Sequence, residues 1–68
     1  MDTYEPADRL CSLREVLTIL SVSRSKLYEL LESPDFPRPV KIGRRTHFSE
    51  REVQAWIADR LARRGGRA

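Results

Sequence analysis

The stretch Leu13-Arg14-Glu15-Val16-Leu17-Thr18-Ile19-Leu20-Ser21-Val22-Ser23-Arg24-Ser25-Lys26-Leu27-Tyr28-Glu29-Leu30-Leu31-Glu32-Ser33-Pro34 decides the fold. Leu13, Val16, Leu17 and Leu20 recur at helical spacing, which predicts a first helix over about 13–20 with one apolar stripe. Ser12 followed three residues later by Glu15 fits a capping box, in which each side chain satisfies a backbone N–H at the helix start. Ser21-Val22-Ser23 interrupts the pattern, and Ser23 is a good N-cap for a second helix over about 24–32. That helix places Leu27, Leu30 and Leu31 on one face. Pro34 ends it by disfavouring helical geometry at Ser33. Two short helices joined by a tight turn, with Val22 pointing inwards, form a helix-turn-helix.

Working outward, Pro34, Pro37 and Pro39 with Asp35 exclude regular structure, and Phe36 is the apolar anchor of that loop. Val40-Lys41-Ile42 and Thr46-His47-Phe48 alternate on either side of a turn formed by Gly43-Arg44-Arg45, which predicts a small β-hairpin. Val40, Ile42 and Phe48 are expected to point inwards, Lys41 and His47 outwards. Ser49 and Glu52 form a second capping box. Val53, Trp56, Ile57 and Leu61 then give the stripe of a third helix running to about Arg63, with Trp56 expected at the centre of the core. Residues 1–9 are polar, contain Pro6 and read as a mobile lead-in, and Gly65-Gly66 stops the third helix, with a basic disordered tail over 64–68. The expected fold class is mainly α with a small β-hairpin. It is a winged helix-turn-helix domain over 10–63, with three helices and the wing between the second and third.

At 68 residues, folding buries only about 60% of the surface of the unfolded chain, so the core is small and spares little for a cofactor cavity or a deep cleft. That argues against an enzyme. Cys11 is the only cysteine and His47 the only histidine, which excludes an internal disulfide and a standard structural zinc site. No cofactor or metal is expected. Asp2, Glu5 and Asp8 with no apolar run after a basic start argue against a signal peptide. No apolar stretch approaches the ~20 residues of a membrane span. The expected compartment is the cytoplasm.

The net charge of +3 and the dominance of Arg over Lys point to an anionic partner, because guanidinium presents a planar fork to phosphate and to guanine. On the second helix, the leucine face leaves Arg24, Ser25, Lys26 and Tyr28 on polar sides near the N-terminus. Backbone N–H groups after Ser23 also point outwards, where the helix dipole favours phosphate. Glu29 and Glu32 oppose this reading, since a carboxylate facing phosphates is repelled, and any amphipathic helix carries a mixed polar face. The wing shifts the balance. Lys41, Gly43, Arg44, Arg45 and His47 lie in a segment with no acidic residue between Asp35 and Glu50, so their charge is not cancelled locally. Such a hairpin suits a phosphate strand or the minor groove. His47 reads as a wing residue rather than a catalyst, since no Ser, Cys or Asp is placed to form a triad with it. Cys11 reads as a packing residue.

The order Leu13-x-x-Val16, Val22-Ser23-Arg24-Ser25-x-Leu27-Tyr28, Phe36-Pro37-Arg38-Pro39-Val40-Lys41-Ile42-Gly43 and Glu52-Val53-x-Ala55-Trp56-Ile57 resembles the AlpA family of phage and prophage regulators, which belong with excisionases to a MerR-like winged-helix group. The resemblance spans about residues 9–62. It implies a DNA-binding transcriptional regulator, or an excision factor that bends DNA for an integrase. Ser23, Arg24, Ser25 and Tyr28 match the family's DNA-reading segment; Gly43, Arg44 and Arg45 match its wing. The family commonly has Gly where this chain has Ser21, which implies a strained or differently shaped turn. The expected partner is double-stranded DNA. A domain this small covers few base pairs, so specificity needs a dimer, tandem copies, or a partner such as an integrase or RNA polymerase. The alternative reading is a protein-interaction adaptor whose helix face around Tyr28, Glu29 and Glu32 docks an integrase, a polymerase subunit or another protein.

Overall fold

A computed structural model describes residues 8–65. Residues 1–7 of the expected lead-in and 66–68 of the expected tail lie outside the described residues, whereas Arg64 and Gly65, expected in the tail, are the last residues of the third helix. The first helix, α1 (Leu13–Leu20), begins with the expected reciprocal cap: Glu15 N–H donates to Ser12 Oγ at 3.1 Å, and Ser12 N–H donates to Glu15 Oε1 at 2.8 Å. It ends on Ser21 in the left-handed region (φ 57, ψ 47). Val22 N–H reaches Leu17 O at 3.2 Å and Ser21 N–H reaches Thr18 O at 3.3 Å. This bond pair is a Schellman closure, in which Gly is the usual left-handed residue. Ser21 therefore holds, with a Cβ, a left-handed conformation that Gly adopts without strain.

Three residues later, α2 (Arg24–Leu31) is capped by Ser23, whose Oγ accepts from Lys26 N–H at 3.1 Å. Its last helical residue is Leu31, with Glu32 as the C-cap rather than part of the helix. The Leu31 carbonyl at that end is met by a residue from the proline loop. Arg38 donates from Nη2 to Leu31 O at 2.7 Å, Ser33 O at 3.1 Å and Phe36 O at 3.3 Å. A guanidinium fork thus fastens the loop to the end of α2.

The sheet has three strands, one more than the sequence pattern indicated. β1 (Leu10–Ser12) precedes α1, and β2 (Val40–Ile42) and β3 (Arg45–Ser49) form the wing. All pairings are antiparallel, and β3 is central in the order β1-β3-β2. The register is Val40 opposite His47, Lys41 opposite Thr46 and Ile42 opposite Arg45. The hairpin turn is therefore the two residues Gly43-Arg44, and Arg45 belongs to the strand. Gly43 has φ +64 whereas Arg44 is not in the positive region, the pattern of a type II′ turn with Gly first.

This register corrects the expected facing of the wing. A three-residue turn would have set Val40 opposite Phe48, with both pointing inwards. Shortening the turn by one residue moves β2 onto the opposite face, because side chains alternate with a period of two. Val40 and Ile42 consequently share the outer face with His47 and Arg45, and are 45% and 50% exposed. Lys41 falls on the same face as Phe48 while remaining exposed. His47 is half-buried rather than turned freely to solvent.

The core consists of Cys11, Val16, Leu27, Phe36, Phe48 and Val53, contributed by β1, α1, α2, the loop, β3 and α3 (Glu50–Gly65). Phe36 is its aromatic hub. It meets Phe48 edge-on at 6.2 Å and Trp56 edge-on at 5.0 Å between ring centroids. Trp56, expected at the centre, is half-buried at the rim, with the Arg60 guanidinium 4.8 Å from its ring. Leu61 is 49% exposed because α3 runs beyond the small core. Only the forward half of the expected second capping box forms, Glu52 N–H donating to Ser49 Oγ at 3.1 Å. Asp8 completes the cap. Its carboxylate accepts from the Ser49 hydroxyl and, at 3.0 Å, from Arg51 N–H. Asp8 and Arg9, read as lead-in, are thus fastened to α3, with Arg9 Nε 2.8 Å from Glu50 Oε1.

Candidate nucleic-acid interface

The residues singled out in the sequence fall into two groups carried by one core, with Leu27 beneath α2 and Phe48 beneath the wing in the same buried cluster. In the first group, Ser23 has its acceptor committed to the cap, while Arg24, Ser25, Lys26 and Tyr28 are exposed. The first turn of α2 contains no acidic residue and its last turn no basic one. The partial positive charge of its N-terminus is therefore not offset by a side chain of that turn, which suits an anion. Lys26 Nζ lies 3.4 Å from Glu29 Oε1, an exposed pair one turn further on. Glu29 thus draws off part of the positive charge that Lys26 brings to the helix.

The second group is the wing. Lys41, Gly43, Arg44 and Arg45 are all exposed, and Lys41, Arg44 and Arg45 have no carboxylate partner within 4 Å among the described residues. The other basic residues near acids behave differently: Arg9 pairs with Glu50, Arg60 with Asp35 and Arg63 with Asp59. The central strand brings Arg45 and His47 together on the outer face, and Lys41 lies on the other. The wing's charge is thus distributed over both faces and the Gly43-Arg44 tip.

Two residues outside the sequence-derived set bear on this surface. Arg14, in the first turn of α1, lines a cleft with Ser12, Leu13, Arg45, Thr46 and His47. Its proximity follows from the β1–β3 pairing, which no local pattern in Leu10-Cys11-Ser12 reveals. Arg38 lies three residues ahead of Lys41, but it shares a cleft with Asp35, Glu52 and Asp59, and its Nη2 donates to backbone carbonyls, which makes it a structural residue. Cys11 is fully buried in the core, and burial pushes its thiol pKa up, so it packs as a small apolar side chain. Among the described residues no group of His, Cys, Asp or Glu is arranged to hold a metal ion, and no helix is long and apolar enough to cross a membrane.

Sequence comparison identifies the chain's relatives. The profile of the family described as prophage CP4-57 regulatory protein (AlpA) matches residues 9–61. The uncharacterized protein ORF88 of Enterobacteria phage P4 is 36% identical over 58 residues, which is 84% of this chain and 66% of that protein. The chain thus spans just under two thirds of the length of this relative. No solved structure matches. With the profile covering nearly all of the folded part, this chain belongs to the AlpA family of prophage regulatory proteins.

Proposed function

We propose that this chain binds double-stranded DNA with a sequence preference and acts in the cytoplasm, without enzymatic activity, as a phage-type transcriptional regulator or excision factor. The observation that carries this reading is the wing, where Lys41, Arg44 and Arg45 are exposed with no carboxylate partner among the described residues. In this reading the first turn and a half of α2 enters the major groove. Arg24, Ser25, Lys26 and Tyr28 read or orient there, and the backbone N–H groups after Ser23 hold a phosphate. The wing grips the backbone or the adjoining minor groove through Lys41, Gly43, Arg44, Arg45 and His47. A dimer, tandem copies or a DNA-bound partner supplies the rest of the specificity.

The test is duplex binding across a salt series. Each phosphate contact removed should flatten the log–log salt slope by roughly 1, so Arg44→Ala with Arg45→Ala should weaken binding to all sequences and lower the slope by about 2. Ser25→Ala or Lys26→Ala should instead change the ranking of sequences. An unchanged slope in the double Arg variant would remove the wing from the interface. Footprinting on the DNA flanking the gene separates a promoter site from an attachment-site cluster.

A second reading rests on Glu29 on α2 and Glu32 at its C-cap, both exposed, with Tyr28, itself 52% exposed. That face suits a basic protein surface on an integrase or a polymerase subunit. Failure to bind any duplex even in low salt would favour such an adaptor. An excision factor can combine both roles.

A further inference from the structure

The cleft on the α1 side of the sheet holds a basic residue that the proposed interface leaves out. β1 gives way to α1 at Leu13, and beyond the Ser12–His47 pair no strand among the described residues pairs with β3 on that side. The result is a notch lined by Ser12, Leu13, Arg14, Arg45, Thr46 and His47. Arg14, Arg45 and His47 are among its lining residues, and among the described residues no Asp or Glu is. Glu15, the acid closest in sequence, is turned to Ser12 N–H at 2.8 Å and is not part of the lining.

The neutral groups of the notch also favour donation. His47 Nδ1 is buried with no hydrogen-bond partner among the described residues. A buried N–H without an acceptor is costly, so in the neutral ring the proton rests at lower cost on Nε2. Ser12 Oγ already accepts from Glu15 N–H, which leaves its own hydroxyl proton to donate. Thr46 adds a second hydroxyl. A concave site combining two permanently charged arginines with hydroxyl and imidazole donors has the chemistry of a seat for a phosphate oxygen pair.

We infer that this notch seats one backbone phosphodiester of the bound duplex, with Arg14 and Arg45 as its charged arms. The assignment rests on the DNA-binding reading and extends its footprint from the wing onto α1, to a residue outside the reading helix. Arg45 then serves the notch, while Arg44 at the turn tip reaches onward along the groove.

The experiment uses the full chain, a fluorescein-labelled mixed-sequence duplex of about 20 base pairs and a salt series, comparing wild type, Arg14→Gln and Arg14→Lys. Arg14→Gln should lower the slope by about 1 and weaken binding to every sequence roughly equally, whereas Arg14→Lys keeps most of the slope. If wild type binds and Arg14→Gln binds with the same slope, the notch assignment is wrong and the DNA-binding reading stands. If wild type binds no duplex even in low salt, the DNA-binding reading fails and takes the notch with it. A readout independent of variant folding is NMR of the wild type, in which the Arg14 Nε–H and His47 ring signals should shift on adding duplex. If those signals ignore duplex and instead saturate with inorganic phosphate, the ligand is a free phosphate and the assignment to the DNA backbone is overturned.

Discussion

The Ser49 hydroxyl donates to the carboxylate of Asp8, joining the chain ahead of β1 to the N-terminus of α3. The other carboxylate oxygen accepts from Arg51 N–H at 3.0 Å and from Arg9 N–H at 2.7 Å. These bonds hold the Asp8 carboxyl below its ordinary value of 3.8, the Ser49 hydroxyl first and the Arg51 backbone second. A depressed folded-state pKa means stability that is present above the unfolded pKa and lost as pH falls through the folded one. Asp8→Asn should therefore lower the thermal midpoint at neutral pH. The gap between variant and wild type should close as the pH falls through and below 3.8. A gap that persists unchanged in acid would show that the Asp8 charge is not what the cap uses.

Arg38 is the second long-range fastener, and its three carbonyl acceptors identify it as a clamp on the end of α2. Hydrogen bonds from a charged donor contribute more than neutral ones, so Arg38→Ala should destabilise the fold by about 1–3 kcal/mol in urea denaturation. Arg38→Lys should recover little of this, because an ammonium lacks the planar fork that reaches Leu31, Ser33 and Phe36 together. Duplex affinity of the folded variant should stay near wild type, which separates Arg38 from the wing arginines.

The reversal of β2 gives a test of the wing's register. Phe48 is fully buried, so Phe48→Ala should cost about 3–5 kcal/mol and leave so small a domain largely unfolded. Ile42 is 50% exposed on the outer face, so Ile42→Thr should change stability by no more than about 0.5 kcal/mol. Had Ile42 shared the inner face with Phe48, the loss would be several times larger. Equilibrium urea unfolding of the two variants decides between the registers.

What could be read in the sequence was what local chemistry determines. Ser12 with Glu15 and Ser23 alone carry enough information to place the starts of α1 and α2, because a cap is made within four residues. Phe36 was legible as an anchor because it is the lone apolar residue among prolines. β1 was not, since Leu10-Cys11-Ser12 shows no periodicity of its own and becomes a strand only by pairing with Phe48 and its neighbours. The facing of Val40 and Ile42 hinged on one residue of turn length, and Gly43-Arg44-Arg45 is compatible with either count. On the candidate site, the exposed first turn of α2 followed from the leucine stripe. The half-burial of His47 and the place of Arg14 beside Arg45 both depend on β1, so they were hidden with it.

Ser21 provides a prediction of opposite sign. A non-Gly residue in the left-handed region costs on the order of 1 kcal/mol, whereas Gly adopts φ 57 freely but adds entropy to the unfolded chain. Ser21→Gly should therefore stabilise by roughly 0.5 kcal/mol, and Ser21→Val should destabilise, since a β-branched side chain tolerates positive φ least. Thermal melts of both variants provide the check, and a loss of stability in Ser21→Gly would mean that the Schellman closure stores no strain.

Glu29 is where the two readings of α2 diverge. It stands 3.4 Å from Lys26, so it both repels an approaching phosphate and occupies a cation that would otherwise meet one. Glu29→Gln removes that charge at an exposed position where the fold loses little, since isolated surface pairs contribute little to stability. If α2 enters the groove by its first turns, affinity for every duplex should rise by roughly two- to fivefold at low salt, with the gain shrinking as salt screens it. Because Glu29 reads no base in this view, the ranking of sequences should not change. If the carboxylate instead docks a protein, the substitution should leave duplex affinity as it was and weaken the partner complex. Anisotropy titrations on two unrelated duplexes at two salt concentrations distinguish these outcomes.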